Sequence, residues 1–187
     1  MADDLLTSVA DHLADHFGQR PVRASVSFVG VDPIDVLRFE PIPGERAYVS
    51  LGMSRHPMTG AAEEVVAADG PRAELLLHLR DPTDAFADVW RRLALLAATP
   101  AVEGVVYRAG MSVDLGEPLT AASACTGVLV TDSPVHSVLG VEVLQVVPAT
   151  SAELAWCRVR GSDALQARWA EAGTDLLDLA RTGVTLG

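Results

Sequence analysis

Lysine and asparagine are both absent from this 187-residue chain, so all fourteen of its Lys and Arg positions are arginine. The two missing residues use AT-rich codons. The bias points to a high-GC bacterial genome rather than to a functional choice. Cysteine is scarce: Cys125 and Cys157 lie in unlike contexts, form no CxxC and cannot furnish a cysteine-rich zinc site. No run of about 20 apolar residues occurs, so no transmembrane helix is expected. The opening stretch, MADDLLTSVADHLADHF, has neither the basic n-region nor the apolar h-region of a secretion signal. These absences predict a cytoplasmic protein with reduced thiols. Arg-rich runs are missing too. The formal net charge of -11 has the wrong sign for neutralising phosphates, which argues against a nucleic-acid binder. An acidic surface either suits a basic protein partner through electrostatic steering or serves solubility alone.

Motifs with catalytic spacing are also missing. Neither GxxxxGK[ST] nor GxGxxG is present, and no GxSxG elbow occurs. His12 and His16 sit four apart, but HLADH lacks the glutamate of a zinc-protease helix, and Asp11 and Asp15 make a surface face of acids and histidines the simpler reading. TDSPVHS groups Asp132, Ser133 and His136 in sequence only. A triad is positioned by the fold, so this segment reads as a turn. No cofactor or metal is expected.

What is present fits one domain, residues 1–187. A chain this long buries roughly 70% of its unfolded surface and needs no staple. Leu5, Leu6, Val9, Leu13, His16 and Phe17 fall at helical spacing, giving an N-terminal amphipathic helix that ends at Gly18. RASVSFVGV, DVLRFEPI and AYVSLG alternate as strands, the last two joined by a hairpin at Pro43-Gly44. RAELLLHLR sets Ala73, Leu75, Leu77 and Leu79 against a more polar face carrying Glu74, His78 and Arg80, which reads as solvated or salt-bridged. Asp81-Pro82 has the chemistry of a helix start, followed by a stripe of Phe86, Val89, Trp90, Leu93 and Ala97, with Pro100 past the helix end. VEGVVYRAG, TGVLVTD and GVEVLQVV read as strands, the last closed by Pro148. Thr150 to Glu153 (TSAE) is a capping box opening a helix. Gly161 ends that helix and Ser162 caps another. Regular βαβ alternation is missing, so the expected fold class is α+β: a mixed or antiparallel sheet packed with helices.

The segment YVSLGMSRHPM clusters polar groups at a strand end. Gly52 permits a sharp bend, Ser54 can bond the turn's own backbone, and Pro57 stiffens the exit. Arg55 and His56 would project from a rigid corner. That corner either presents side chains to a partner or locks the structure.

YVSLGMSRHPM, then PRAELLLHL, then a Trp-bearing helix before a proline, then VVPATSAE running into GSDALQARW, together resemble the suppressor-of-fused (SUFU) domain over about 31–181. The resemblance implies a compact α+β domain without known catalytic machinery. Eukaryotic relatives bind a peptide of a zinc-finger transcription factor, and many bacterial relatives act as immunity proteins against secreted toxins. The chain resembles only the first domain of the eukaryotic proteins, so no peptide-binding residues carry over. The shared motifs mark Gly52, Met53 and Ser54 at the corner, with Arg55 and His56 beside them, and Glu74 in the next strand, in architectural roles. The leading expectation is a non-enzymatic protein-binding module with a basic partner such as a toxin domain. The alternatives are an enzyme using Ser54, Arg55, His56 and His78, or a homo-oligomeric structural protein.

Overall fold

The structure is a computed structural model, and it describes residues 2–62, 69–86 and 88–187. A seven-stranded mixed sheet forms its centre. In chain order the strands are β1 (Val22–Phe28), β2 (Val31–Phe39), β3 (Glu45–Leu51), β4 (Arg72–Arg80), β5 (Ser112–Asp114), β6 (Cys125–Asp132) and β7 (Val141–Thr150). Their order across the sheet is β1-β2-β3-β4-β7-β6-β5. All neighbours are antiparallel except β4 and β7, which run parallel. The fold class is therefore α+β, as the element order predicted.

Both faces of the sheet are covered, because alternate side chains feed different cores. Ala73, Leu75, Leu77 and Leu79 of β4 pack with α2 (Val89–Glu103) on one face. On the other face, Leu37, Phe39, Val49 and Leu76 pack with Leu6, Val9 and Leu13 of α1 (Ala2–Phe17). Phe17 stacks on Phe39 with ring centroids 4.4 Å apart. Farther along that face, Leu129, Val147 and Ala149 meet α3 (Ser151–Arg160) and α4 (Ser162–Glu171) through Leu154, Cys157, Leu165 and Trp169. Both cysteines are buried and free. Among the described residues no helix is long and apolar enough to cross a membrane.

Several local signals resolve differently from expectation. Asp81 does not start a helix. Its carboxylate accepts the Ala85 and Phe86 N–H groups at 2.8 and 3.1 Å in a turn, and α2 begins only at Val89. Pro100 lies inside α2 rather than past it. A proline there leaves the carbonyl four residues back without its helical donor. The Tyr107 hydroxyl takes that place, donating to the Leu96 carbonyl at 3.0 Å. The segment read as a strand at VEGVVYRAG is the end of α2, a left-handed cap at Gly104 and a coil that buries Tyr107. Pro148 does not close β7, which runs on to Thr150. The β4 ladder stops at Gln145, so the missing N–H is not demanded there. The cap before α4 is Gly161, with Ser162 already helical.

The capping box at Thr150 forms as predicted: Glu153 N–H donates to the Thr150 hydroxyl, and Glu153 accepts the Thr150 N–H at 2.8 Å. The same carboxylate also accepts Trp169 Nε1 at 2.9 Å, Arg181 at 2.8 and 3.0 Å, and the Val184 N–H at 2.9 Å. Arg181 donates to the Pro148 carbonyl as well, at 2.8 Å, and so ties the C-terminal segment to the sheet. Burial alone would raise the Glu153 pKa, but Arg181 and the converging N–H donors outweigh it and hold the pKa at about 2. A folded pKa below the unfolded value of 4.5 gives stability that is present above about 4.5 and lost as the pH falls toward 2. That difference corresponds to roughly 3 kcal/mol. Urea unfolding followed from pH 7 to pH 2 should show an acid decline that Glu153→Gln flattens. Arg181→Ala, which leaves a buried carboxylate without its cation, should lose roughly 3–5 kcal/mol at pH 7.

Candidate functional site

At the end of β3 the backbone bends at Gly52, where φ is +135°. A side chain there would be strained, and a Cβ would lie 3.0 Å from the Pro33 carbonyl oxygen and 3.3 Å from Ile34 Cδ1. Met53–Arg55 follow as one 3-10 turn with Met53 and Ser54 buried. Met53 and Met58 both sit in the core beneath α2.

Glu74 of β4 organises the bend. It is fully buried. Its Oε1 accepts the Gly52 N–H at 2.8 Å, the Ser54 N–H at 3.0 Å and the Ser54 hydroxyl at 2.7 Å. Its Oε2 accepts the Ser50 hydroxyl at 2.5 Å, and Ser50 in turn accepts the Leu75 N–H at 2.8 Å. Arg72 closes the turn from outside, donating to the Ser54 and Arg55 carbonyls at 2.7 and 2.8 Å. The expectation that Glu74 lies on a solvated or salt-bridged face is corrected. α1 and the turn cover that part of the sheet, and the carboxylate is paired with hydroxyls and peptide N–H groups instead. His78 and Arg80, farther along the strand, do meet acids: His78 Nε2 is 2.9 Å from Glu45, and Arg80 pairs with Asp175.

The residues that sequence reasoning grouped are only partly brought together. Arg55 does not project freely; it reaches back to Asp3 of α1 at 2.7 Å. His56 does project, with its side chain 70% exposed, and its Nε2 lies 2.9 Å from Asp32. Ser54 is fully buried against Glu74, and His78 pairs with Glu45 on another part of the sheet. Arg55 and His56 thus meet at Asp32, which lies 4.0 Å from Arg55 Nε, whereas Ser54 and His78 each have a separate partner. Ser50, Arg72 and Asp32 were not singled out from sequence. Ser50 is the one with a readable signal, a hydroxyl in an apolar strand two residues before the glycine. Beside the bend lies a cleft of about 450 Å³ lined by Ile34, Met53, Met58, Ala97 and Pro100, with Asp32 and His56 among its polar lining residues. His12 Nε2 is 2.9 Å from the His136 carbonyl oxygen. Among the described residues no three His, Cys, Asp or Glu side chains gather as metal ligands.

The family model for suppressor of fused protein (SUFU) matches residues 30–182. The chain belongs to the SUFU family. A SUFU homologue from Neisseria gonorrhoeae FA 1090 superposes with a TM-score of 0.73 at 18% identity, covering 98% of both chains. A chain from a Sufu–Fu complex gives 0.67 at 15% identity, covering 96% of this chain and 91% of that one. Drosophila Suppressor of Fused gives 0.65 at 16% identity; 96% of this chain is covered, but only 50% of the fly protein. No curated protein is a significant match. At these identities the solved structures establish a shared SUFU fold.

Burial raises the Glu74 pKa above its usual value of 4.5, and the hydrogen bonds from Ser50, Ser54 and Gly52 oppose this without cancelling it. A raised folded pKa means that stability falls as the pH rises from 4.5 through the folded pKa. Glu74→Gln should remove that fall while keeping an acceptor for the turn. Glu74→Leu strands its four donors and should cost at least about 3 kcal/mol. Gly52→Ala should cost about 2 kcal/mol. Urea unfolding from pH 4 to pH 8 measures all three.

Proposed function

We propose that this chain is a non-enzymatic protein-binding module, working as one unit in the bacterial cytoplasm, that restrains a basic partner as an immunity protein does a toxin domain such as a nuclease. The observation that carries the reading is how the corner uses its polar groups. Ser54 is consumed by a buried glutamate, Arg55 is paired with Asp3, and Asp32 sits between Arg55 and His56, 4.0 Å from the one and 2.9 Å from the other. Such a bend is rigid, and the one hydroxyl it sets beside a carboxylate, Ser54 against Glu74, is fully buried and out of a substrate's reach. Family membership supports the reading, as does the presence of a Sufu–Fu complex among the similar structures. The net charge of -11 favours a cationic partner by speeding its encounter. Gly52, Met53, Ser54 and Glu74 act as scaffold in this account. The recognition surface is the exposed His56–Asp32 pair and the cleft behind it.

The intact chain should capture a specific basic protein from its native lysate at low salt, and more weakly at moderate salt. Asp32→Arg should weaken capture of that same protein about tenfold or more without changing the unfolding midpoint by more than the loss of a surface pair. Recovery of no specific partner at either salt concentration sinks the binding reading. Undiminished capture by the Asp32 variant removes the corner from the interface.

A further inference from the structure

The sheet ends in two unlike edges. β5 is three residues long, whereas β1 presents Val22–Phe28, seven residues, along an open side. The outward N–H and C=O groups of an edge strand are a template for another strand, and proteins usually blunt such edges with proline, charge or brevity. VRASVSF has no proline, and its single charge, Arg23, is spent on Asp35 of β2. A bulge between Val26 and Phe28 is its one irregularity, which leaves Val22–Val26 regular. Ala24, Val26 and Phe28 are half-covered, whereas Val22 is 60% exposed. Beside the strand runs a groove whose lining includes Val26, Phe28 and the partly exposed Leu95 of α2, with two ion pairs, Arg91–Asp88 and Arg92–Glu117, among its polar residues.

Charge and sequence say what fits this edge. The chain carries 25 Asp and Glu residues, yet none occurs between Asp15 and Asp32, a stretch that holds Arg20 and Arg23. The strand itself therefore brings no carboxylate to a second copy, and the acids beside it, Asp35, Asp88 and Glu117, are each paired with an arginine. It is also self-complementary. An antiparallel register centred on Ala24 sets Val22 opposite Val26 of a second copy, Arg23 opposite Ser25, and Ala24 opposite itself. β-branched residues then pair on the α2 face, no like charges oppose, and the smallest side chain sits at the two-fold axis. We propose that two copies of this chain associate through β1, joining their sheets into one and covering Val22 and the Leu95 groove. The proposal does not depend on the partner reading above, because it rests on the outer edge of β1 and not on the His56–Asp32 pair.

Light scattering on the full chain over a range of micromolar concentrations is the test. The mass should rise from one copy to two, and more readily with added salt, which screens the repulsion between two acidic copies. Ala24→Glu and Ala24→Arg each put like charges face to face on the axis and should each weaken the dimer roughly tenfold or more. Mixing the two variants in equal amounts should restore it. Ala24→Cys leaves the edge uncharged and should form a disulfide between copies under mild oxidation, since both native cysteines are buried. A single-copy mass at every concentration overturns the proposal and leaves the edge to a strand from another protein. So does a wild-type dimer in which the Ala24→Cys variant fails to cross-link, or one that persists unchanged in both charged variants.

Discussion

A carboxylate with no water around it must find its hydrogen bonds within the protein, and the shape of the corner follows from how Glu74 does so. Its two oxygens need donors. The nearest are the peptide N–H groups exposed when β3 ends, together with the hydroxyls of Ser50 and Ser54. Satisfying them pulls the chain into a turn too tight for a Cβ at position 52, so glycine is required there. The turn then drives Met53 and Met58 into the core beneath α2 and leaves His56 facing outward. Glycine, serine and glutamate form one interlocking unit even though they lie on two strands.

A second buried glutamate makes an instructive contrast. Glu153 has the guanidinium of Arg181 against it, and its pKa goes down; Glu74 has only neutral donors, and its pKa goes up. Burial disfavours charge at both sites, and a nearby cation decides which way the balance falls. The two also do different jobs. Glu74 shapes a bend within the sheet, while Glu153 gathers a helix cap, the Trp169 indole and the C-terminal segment at one point. Together they fix two of the places where the chain departs from regular strands.

In the binding reading proposed above, function is a matter of surface. The Ser54 hydroxyl is buried and Arg55 is paired with Asp3, so what reaches the outside at the corner is shape and a small number of exposed polar groups. The acids are spread over the chain, while β1 itself carries none and the acids beside it are paired with arginines.

Much of this architecture was legible in the sequence. Period-two alternation marked β2, β3 and β4, helical spacing marked α1, and Thr150 with Glu153 announced α3, because these patterns record which side of an element is apolar or which end lacks donors. The reading failed where a local signal had a distant competitor. Asp81-Pro82 looks like a helix start, but the carboxylate is used in a turn, and Pro100 looks like a terminator until Tyr107 supplies the missing donor. Glu74 and Arg181 were opaque for the same reason. By itself the sequence determined most of the elements, the need for glycine at the bend and the family. The tertiary structure decided that Glu74 is buried among donors, that Arg55 turns inward while His56 turns outward, and that Arg181 meets Glu153. A polar residue in an apolar run advertises that it needs a partner, but the partner's identity exists only once separate strands have been brought side by side.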